Sequence, residues 1–258
     1  MNTGDRGESS RLRRIMLALD ALNCDTALIE AAALIAAKLQ AELDALFVED
    51  DDVYTVADLP ITQEISLSSA RAREISGPRV EQALRCLSRD AERRFTAVIH
   101  RSRVKGSFEV TRARREEAIS DAALRVDLLL LQPRERTLVR VRVRENRPPR
   151  VFVLCGQSAA SRRALEIGAR LAHEDHHVLE VVVAGELDAA LRRELEATGL
   201  VVVVREHPAH SEVPAMLGDV DDRPGNTVLV AGDLPEGGSR AAALQGLSRM
   251  RCQVLLVN

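Results

Sequence analysis

The sequence predicts an α/β chain built as two tandem units, each a mostly parallel twisted sheet with helices on both faces. Three observations predict it. A short apolar run at Ile15, Met16, Leu17, Ala18 and Leu19 leads through a polar turn into a helical pattern and a second apolar run. The same pattern returns 136 residues later, from Arg150. Further on, the apolar run 126–131 has its counterpart at 226–230, now at an offset of 100. Strands that alternate with helices need crossover connections, and crossovers give parallel sheets.

Each element has a local reason. Residues 14–20 form an apolar strand ended by the polar Asp20. Leu28, Ala31, Ala32, Ile35 and Leu39 recur at spacings of three and four, which predicts a helix that Asn23 or Asp25 can cap. A second strand follows at 42–48. The fall in offset from 136 to 100 leaves about 36 extra residues in the first half, expected in the polar helical stretch 80–99. There Leu84, Cys86, Leu87 and Phe95 are the candidate core contacts. The fourth strand is predicted at 126–131, after the segment 115–124.

Residues 134–150 contain seven arginines, with Glu135 and Glu145 as the acids. Within them 139–144 alternates with period two and places its arginines on one face of a fifth strand, 138–144, a pattern that discourages edge aggregation. Too few residues separate it from the fourth strand for a helical crossover. It is therefore expected to pair with another sheet edge, such as 254–257 of the other half or of a second chain.

The second half repeats the scheme: a strand over Arg150 to Gly156, a helix capped by Ser158 or Ser161, and a strand at 178–184. A segment at 211–217, a strand at 226–230, a helix at 241–251 and a terminal strand complete it. At the offset of 136, Glu30 matches Glu166, Ala33 matches Ala169, Ala36 matches Ala172 and Leu43 matches Leu179. The expected units are 14–145 and 150–258, joined near Pro148 and Pro149.

Composition narrows the function classes. The chain has 258 residues, 36 basic against 39 acidic, and a formal charge of −3, which supplies no global attraction to nucleic acid or to an anionic membrane. Lys38 and Lys105 are its only lysines. With Phe47, Phe95, Phe108, Phe152 and Tyr54 as its aromatic residues, it has few flat side chains for stacking bases or sugars. No apolar run is long enough to span a bilayer or to serve as a signal-peptide core. Cys24, Cys86, Cys155 and Cys252 are scattered, with no metal or disulfide spacing, so a reducing cytoplasm is the expected compartment.

At this point the sequence resembles the universal stress protein family in its tandem-domain form. The residues that carry the resemblance are Ile15-Met-Leu-Ala-Leu-Asp20, Leu46-Phe-Val-Glu-Asp50, Ser158-x-x-Ser161-x-x-Ala164-Leu165 and Met250-Arg-Cys-Gln-Val-Leu-Leu-Val257. It covers residues 14–132 and 150–258, although Cys252-Gln253 stands where the family usually has cysteine-proline. The resemblance implies a five-stranded parallel sheet in each unit and a dimer formed through the last strand. It also implies, for some members, ATP held by an aspartate ending the first strand and a loop of the form G-x2-G-x9-G-[ST] after the fourth. Such a loop works because its backbone N–H groups and the next helix N-terminus hold phosphate oxygens.

Neither half keeps both parts. The first has Asp20, but its fourth strand is followed by Gln132-Pro-Arg-Glu-Arg136, and no glycine lies between Gly106 and Gly156. The second has Gly156 in place of the aspartate, and its loop runs Gly232-Asp-Leu-Pro-Glu-Gly237-Gly238-Ser239. There Pro235 replaces the second motif glycine, and Asp233 and Glu236 add carboxylates beside any phosphate. Read as a P-loop, it has Gly238 where the lysine belongs. Asp20, Gly232, Gly237, Gly238 and Ser239 are thus the candidate nucleotide-contacting residues, with ATP as the alternative to no cofactor.

Other constellations read as structure. Ser158 follows a strand as a nucleophile elbow would, but no histidine follows His210, so a helix cap is the simpler reading. The histidines of His173-Glu-Asp-His-His177 suit a helix terminus, and Glu49-Asp-Asp-Asp52 an exposed loop, better than metal sites. The expectation is a non-enzymatic cytoplasmic stress-response protein, a homo-oligomer and in particular a dimer, that acts through protein contacts with a partner the sequence does not name. No membrane or nucleic acid is expected among its partners. The alternatives are a nucleotide-binding, weakly hydrolysing module and, behind it, a polyanion-binding adaptor built on the arginine strand.

Overall fold

The computed structural model describes residues 13–21, 24–59, 62–65, 72–131, 150–156, 158–175, 178–209, 211–220, 227–232, 238–250 and 252–258. In the first half β1 (Arg14–Asp20) is apolar at five successive positions, as a strand covered on both faces requires. Helix α1 (Thr26–Leu39) is capped by Asp25, whose carboxylate accepts from Ala27 N–H at 3.3 Å, and it ends at Gln40 in the left-handed region. Strand β2 (Glu42–Asp50) runs two residues beyond expectation.

The extra residues of the first half form three things: α2 (Asp51–Ala57), the hairpin β3 (Gln63–Ile65) and β4 (Ala72–Glu74), and the long α3 (Gly77–Ser102). Helix α3 buries a single stripe, Val80, Leu84, Ser88, Ala91, Phe95 and Val98. Leu84 and Phe95 are core residues as expected, whereas Cys86 and Leu87 fall off that stripe and are exposed. Then come β5 (Phe108–Ala113), α4 (Arg115–Arg125) and β6 (Leu128–Leu131).

The second half consists of β7 (Arg150–Cys155), α5 (Ala159–Asp175), β8 (Val178–Ala184), α6 (Ala189–Glu196) and β9 (Val201–His207). The short α7 (Val213–Met216) continues into a 3-10 turn, Leu217–Asp219, and β10 (Thr227–Ala231), α8 (Gly238–Ser248) and β11 (Gln253–Val257) follow. Helix α8 starts and stops three residues earlier than expected, so Gly238 and Ser239 lie in its first turn rather than in a loop before it.

Among the described residues one sheet of nine strands runs β5-β2-β1-β6-β11-β10-β7-β8-β9, and the β3–β4 hairpin stands apart. Strands β5, β2, β1 and β6 are parallel to one another, and so are β11, β10, β7, β8 and β9. The two sets meet at an antiparallel joint, with Leu128–Leu131 of β6 beside Val254, Leu255, Leu256 and Val257 of β11. The carboxyl ends of the two sets therefore point to opposite ends of the sheet.

This joint corrects two expectations. The 254–257 edge cannot receive the arginine strand, because β11 is hydrogen-bonded to β10 on one side and β6 on the other. For the same reason the last strand is not an edge through which this chain could dimerise. The arginine segment 138–144 itself lies outside the described residues.

Both faces are covered by helices. Ile29 of α1, Phe95 of α3, Leu165 of α5 and Leu195 of α6 pack on one face, and Ala118 of α4, Met216 of α7 and Leu247 of α8 on the other. At the joint, Leu128, Leu130, Leu255 and Val257 join the first core, while Leu129, Leu131, Val254 and Leu256 join the second. The result is a mostly parallel open sheet in an α/β fold.

Candidate functional site

In open parallel sheets, ligands bind outside the carboxyl ends of strands where the strand order reverses. The two parallel sets supply two such places: between β1 and β6 in the first half, and between β7 and β10 in the second.

At the first, Asp20 ends β1 and is buried. Arg115, the first residue of α4, reaches it with Nε 3.1 Å from Oδ2, and their side chains are only 7% and 12% exposed for arginine and aspartate. The contact is an ion pair, and Arg115 Nε makes no directed hydrogen bond. Beside Arg115 is a void of about 10 Å³, lined also by Glu116, Ile119, Leu244 and Ser248. That is room for about one water molecule.

Arg115 closes a row of three arginines that answers three aspartates. Arg112 Nε donates to Asp51 Oδ1 at 2.8 Å, and Arg114 approaches Asp52 at 3.7 Å. Asp50 caps α2 by accepting from Asp52 N–H at 3.2 Å, and Tyr54 Oη donates to Glu49 at 3.1 Å. The Arg112 guanidinium also stacks 3.7 Å above the Tyr54 ring. Burial pushes the Tyr54 phenol up from its ordinary value, and the hydrogen bond to Glu49 pushes it further. The acidic run 49–52 is thus a strand end and helix start held by arginines, not the exposed loop expected. Among the described residues no group of His, Cys, Asp or Glu could hold a metal ion. His176 and His177 lie outside them, as do the side chains of residues 173–175.

The second place is occupied by the chain's own backbone. Gly156 N–H donates to Ser161 Oγ at 2.8 Å, and Gly232 N–H donates to Leu154 O at 3.0 Å. A Cβ on Gly232 would lie 2.7 Å from both Ala160 O and Ser161 Cα. Gly232 is bare so that the first turn of α5 can press against the end of β10. Ser158 is the cap of α5, accepting from Ser161 N–H at 3.2 Å, and Ser161 instead fastens Gly156. Gly237 lies outside the described residues, and Gly238 and Ser239 begin α8.

The structure therefore does not bring the sequence-predicted residues together: Asp20 and Gly232 sit at opposite ends of the sheet. Sequence reasoning missed Arg112, Arg114 and Arg115, whose signal was an arginine cluster between a strand and a helix. A cavity of about 670 Å³ lies away from both places, among α1, α5 and α6, with Leu39, Leu165, Ala169, Leu191 and Leu195 in its walls.

No protein-family profile matches the chain, and no curated protein sequence matches it. Among solved structures it is similar to a universal stress protein from Archaeoglobus fulgidus DSM 4304, with 12% identity and a TM-score of 0.53 over 94% of this chain and 96% of that one. The chain has the fold of a universal stress protein. A functionally unknown protein from Pseudomonas aeruginosa PAO1 also aligns, at 14% identity and a TM-score of 0.43 over 95% of this chain and 92% of that one. In this universal stress protein fold, Asp20 and Gly232 mark the two switch points, one sealed by an arginine and the other by a helix turn.

Proposed function

We propose that the chain is a tandem universal stress protein, with units at 14–145 and 150–258, whose nucleotide sites are degenerate. It acts in the cytoplasm through protein contacts rather than by catalysis. The duplication is supported by more than strand order. Arg14 of β1 holds Asp44 of β2 with Nε to Oδ2 at 2.6 Å, and at an offset of 136 for both partners Arg150 of β7 holds Glu180 of β8 with Nε to Oε1 at 2.7 Å.

The observation that carries the functional reading is the Arg115 guanidinium against Asp20. An adenosine group that used Asp20 would have to displace a buried cation, and removing one partner from a buried ion pair costs about 3–5 kcal/mol. At the other switch point the Gly232 backbone is already in contact with α5. Calorimetric titration of the full chain with ATP, ADP and AMP tests the reading. No saturable heat is expected. Micromolar binding that disappears in Asp20→Asn or Gly232→Ala would overturn it.

A further inference from the structure

The cavity of about 670 Å³ among α1, α5 and α6 has a cause in the duplication. In the first half, Phe47 of β2, Phe108 of β5 and Phe95 of α3 fill the layer between sheet and helices, with Phe108 5.9 Å from Phe95 and 6.5 Å from Phe47 between ring centroids. The register of the second half puts Val183 where Phe47 stands and Val204 where Phe108 stands. Its helix over that layer is α6, with eight residues against twenty-six in α3. Helix α1 packs along α3, whereas α5 and α6 meet at few points, and the space between them stays open.

Its walls are aliphatic. Leu39 of α1 closes one end from the first half, and the buried Leu165, Leu171 and Leu195 line the cavity with the half-buried Ala169 and Leu191. No aromatic ring is among the described lining residues, so a flat base or sugar has nothing to stack on. The rim carries both signs of charge in equal number, Lys38 and Arg170 against Glu166 and Glu194. Arg170 also ties the two halves together by donating to Lys38 O, near the end of α1, at 3.4 Å. A charged head group of either sign would meet a like charge at this rim, whereas a hydroxyl finds both donors and acceptors.

We propose that this cavity binds a small uncharged amphiphile: an unbranched aliphatic chain laid against the leucines, with a hydroxyl head at the charged rim. The volume falls within the range of small-molecule sites, and the lining has their composition, mostly apolar with a few polar groups at one side. A chain that enters takes its own methylenes and the leucine walls out of water together. Both halves build the site, since α1 belongs to the first and α5 and α6 to the second. The proposal goes beyond the degenerate-site reading and does not rest on it. The cavity lies away from both switch points and its test uses no nucleotide, so either can fail alone.

Calorimetric titration of the full chain with 1-decanol tests it, and saturable binding in the micromolar range is expected. The homologue 1-octanol, two methylenes shorter, should bind about tenfold more weakly. Decanoate and decylammonium should both bind more weakly than 1-decanol. Ala169→Phe, which fills the cavity, should abolish binding, while Leu124→Lys, at an exposed apolar position on α4, should leave it intact. If Ala169→Phe fails to fold, Leu191→Lys, at the other half-buried wall position, is read in the same way. No saturable binding, binding unchanged in the wall variant, equal loss in Leu124→Lys, or a charged chain that binds as tightly as 1-decanol would each overturn the proposal.

Discussion

The guanidinium of Arg115 stands 3.1 Å from the carboxylate of Asp20, and the fold seals both from solvent at the end of the first strand. Burying one charge alone is unfavourable, so the pair is a mutual dependence more than a source of stability. Arg115→Ala, which removes the buried cation beside the aspartate, should destabilise the chain by about 3–5 kcal/mol in urea unfolding. Replacing both partners, Asp20→Leu with Arg115→Met, should recover most of that loss. A double variant no more stable than Arg115→Ala would refute the dependence.

Asp44 predicts an acid-side effect. Burial alone would push its carboxyl up, but hydrogen bonds from the Ser107 hydroxyl and Arg14, with the Ser107 N–H, bring it below the usual carboxylate range. A lowered carboxyl contributes stability that is present above its unfolded value of about 3.9 and is lost as pH falls through the folded value. Asp44→Asn should therefore lower stability at neutral pH and flatten its decline in acid. Denaturation midpoints measured across that range check the slope.

Tyr54 is the only tyrosine and there is no tryptophan, so its ionisation can be followed by ultraviolet absorbance without interference. Burial and the Glu49 hydrogen bond both favour the protonated phenol. Its contribution is complete below the unfolded value of about 10 and is lost as pH rises through the raised folded value. In Glu49→Gln the midpoint should move back toward the ordinary value. An unchanged midpoint would remove Glu49 as a cause.

Gly232→Ala should test the closed second switch point. The added methyl meets backbone rather than a flexible side chain, so α5 or β10 has to shift. A loss of about 1–3 kcal/mol is expected from overpacking. Thermal melts that match the wild type would mean that the space beside Gly232 is open after all.

Much of the fold was legible because its signals are local. Strands covered on both faces must be continuous apolar runs, which is why β1, β7 and β8 could be read within a residue. The helix caps Asp25 and Ser158 were among the residues named, since a side chain two or three positions from the N–H it accepts leaves its mark in the sequence. Cys86 and Leu87 were misread because they are apolar but lie between the buried positions Leu84 and Ser88, and only phase along the helix decides burial. The arginine row was missed because Arg112 pairs with a residue 61 positions away. Nothing near Arg112 in the chain marks that partner.

By itself the sequence determined the alternation of strand and helix, the return of that pattern at an offset of 136, and the lack of glycine after the fourth strand. These follow from side-chain period and backbone freedom, which act over a few residues. Only the tertiary structure decided that β6 and β11 join antiparallel, that Asp20 and Gly232 face opposite ends, and that Arg115 closes on Asp20. Strand neighbours and ion-pair partners are chosen by how whole faces bury against one another, so they depend on residues far apart in the chain, from tens of positions to more than a hundred.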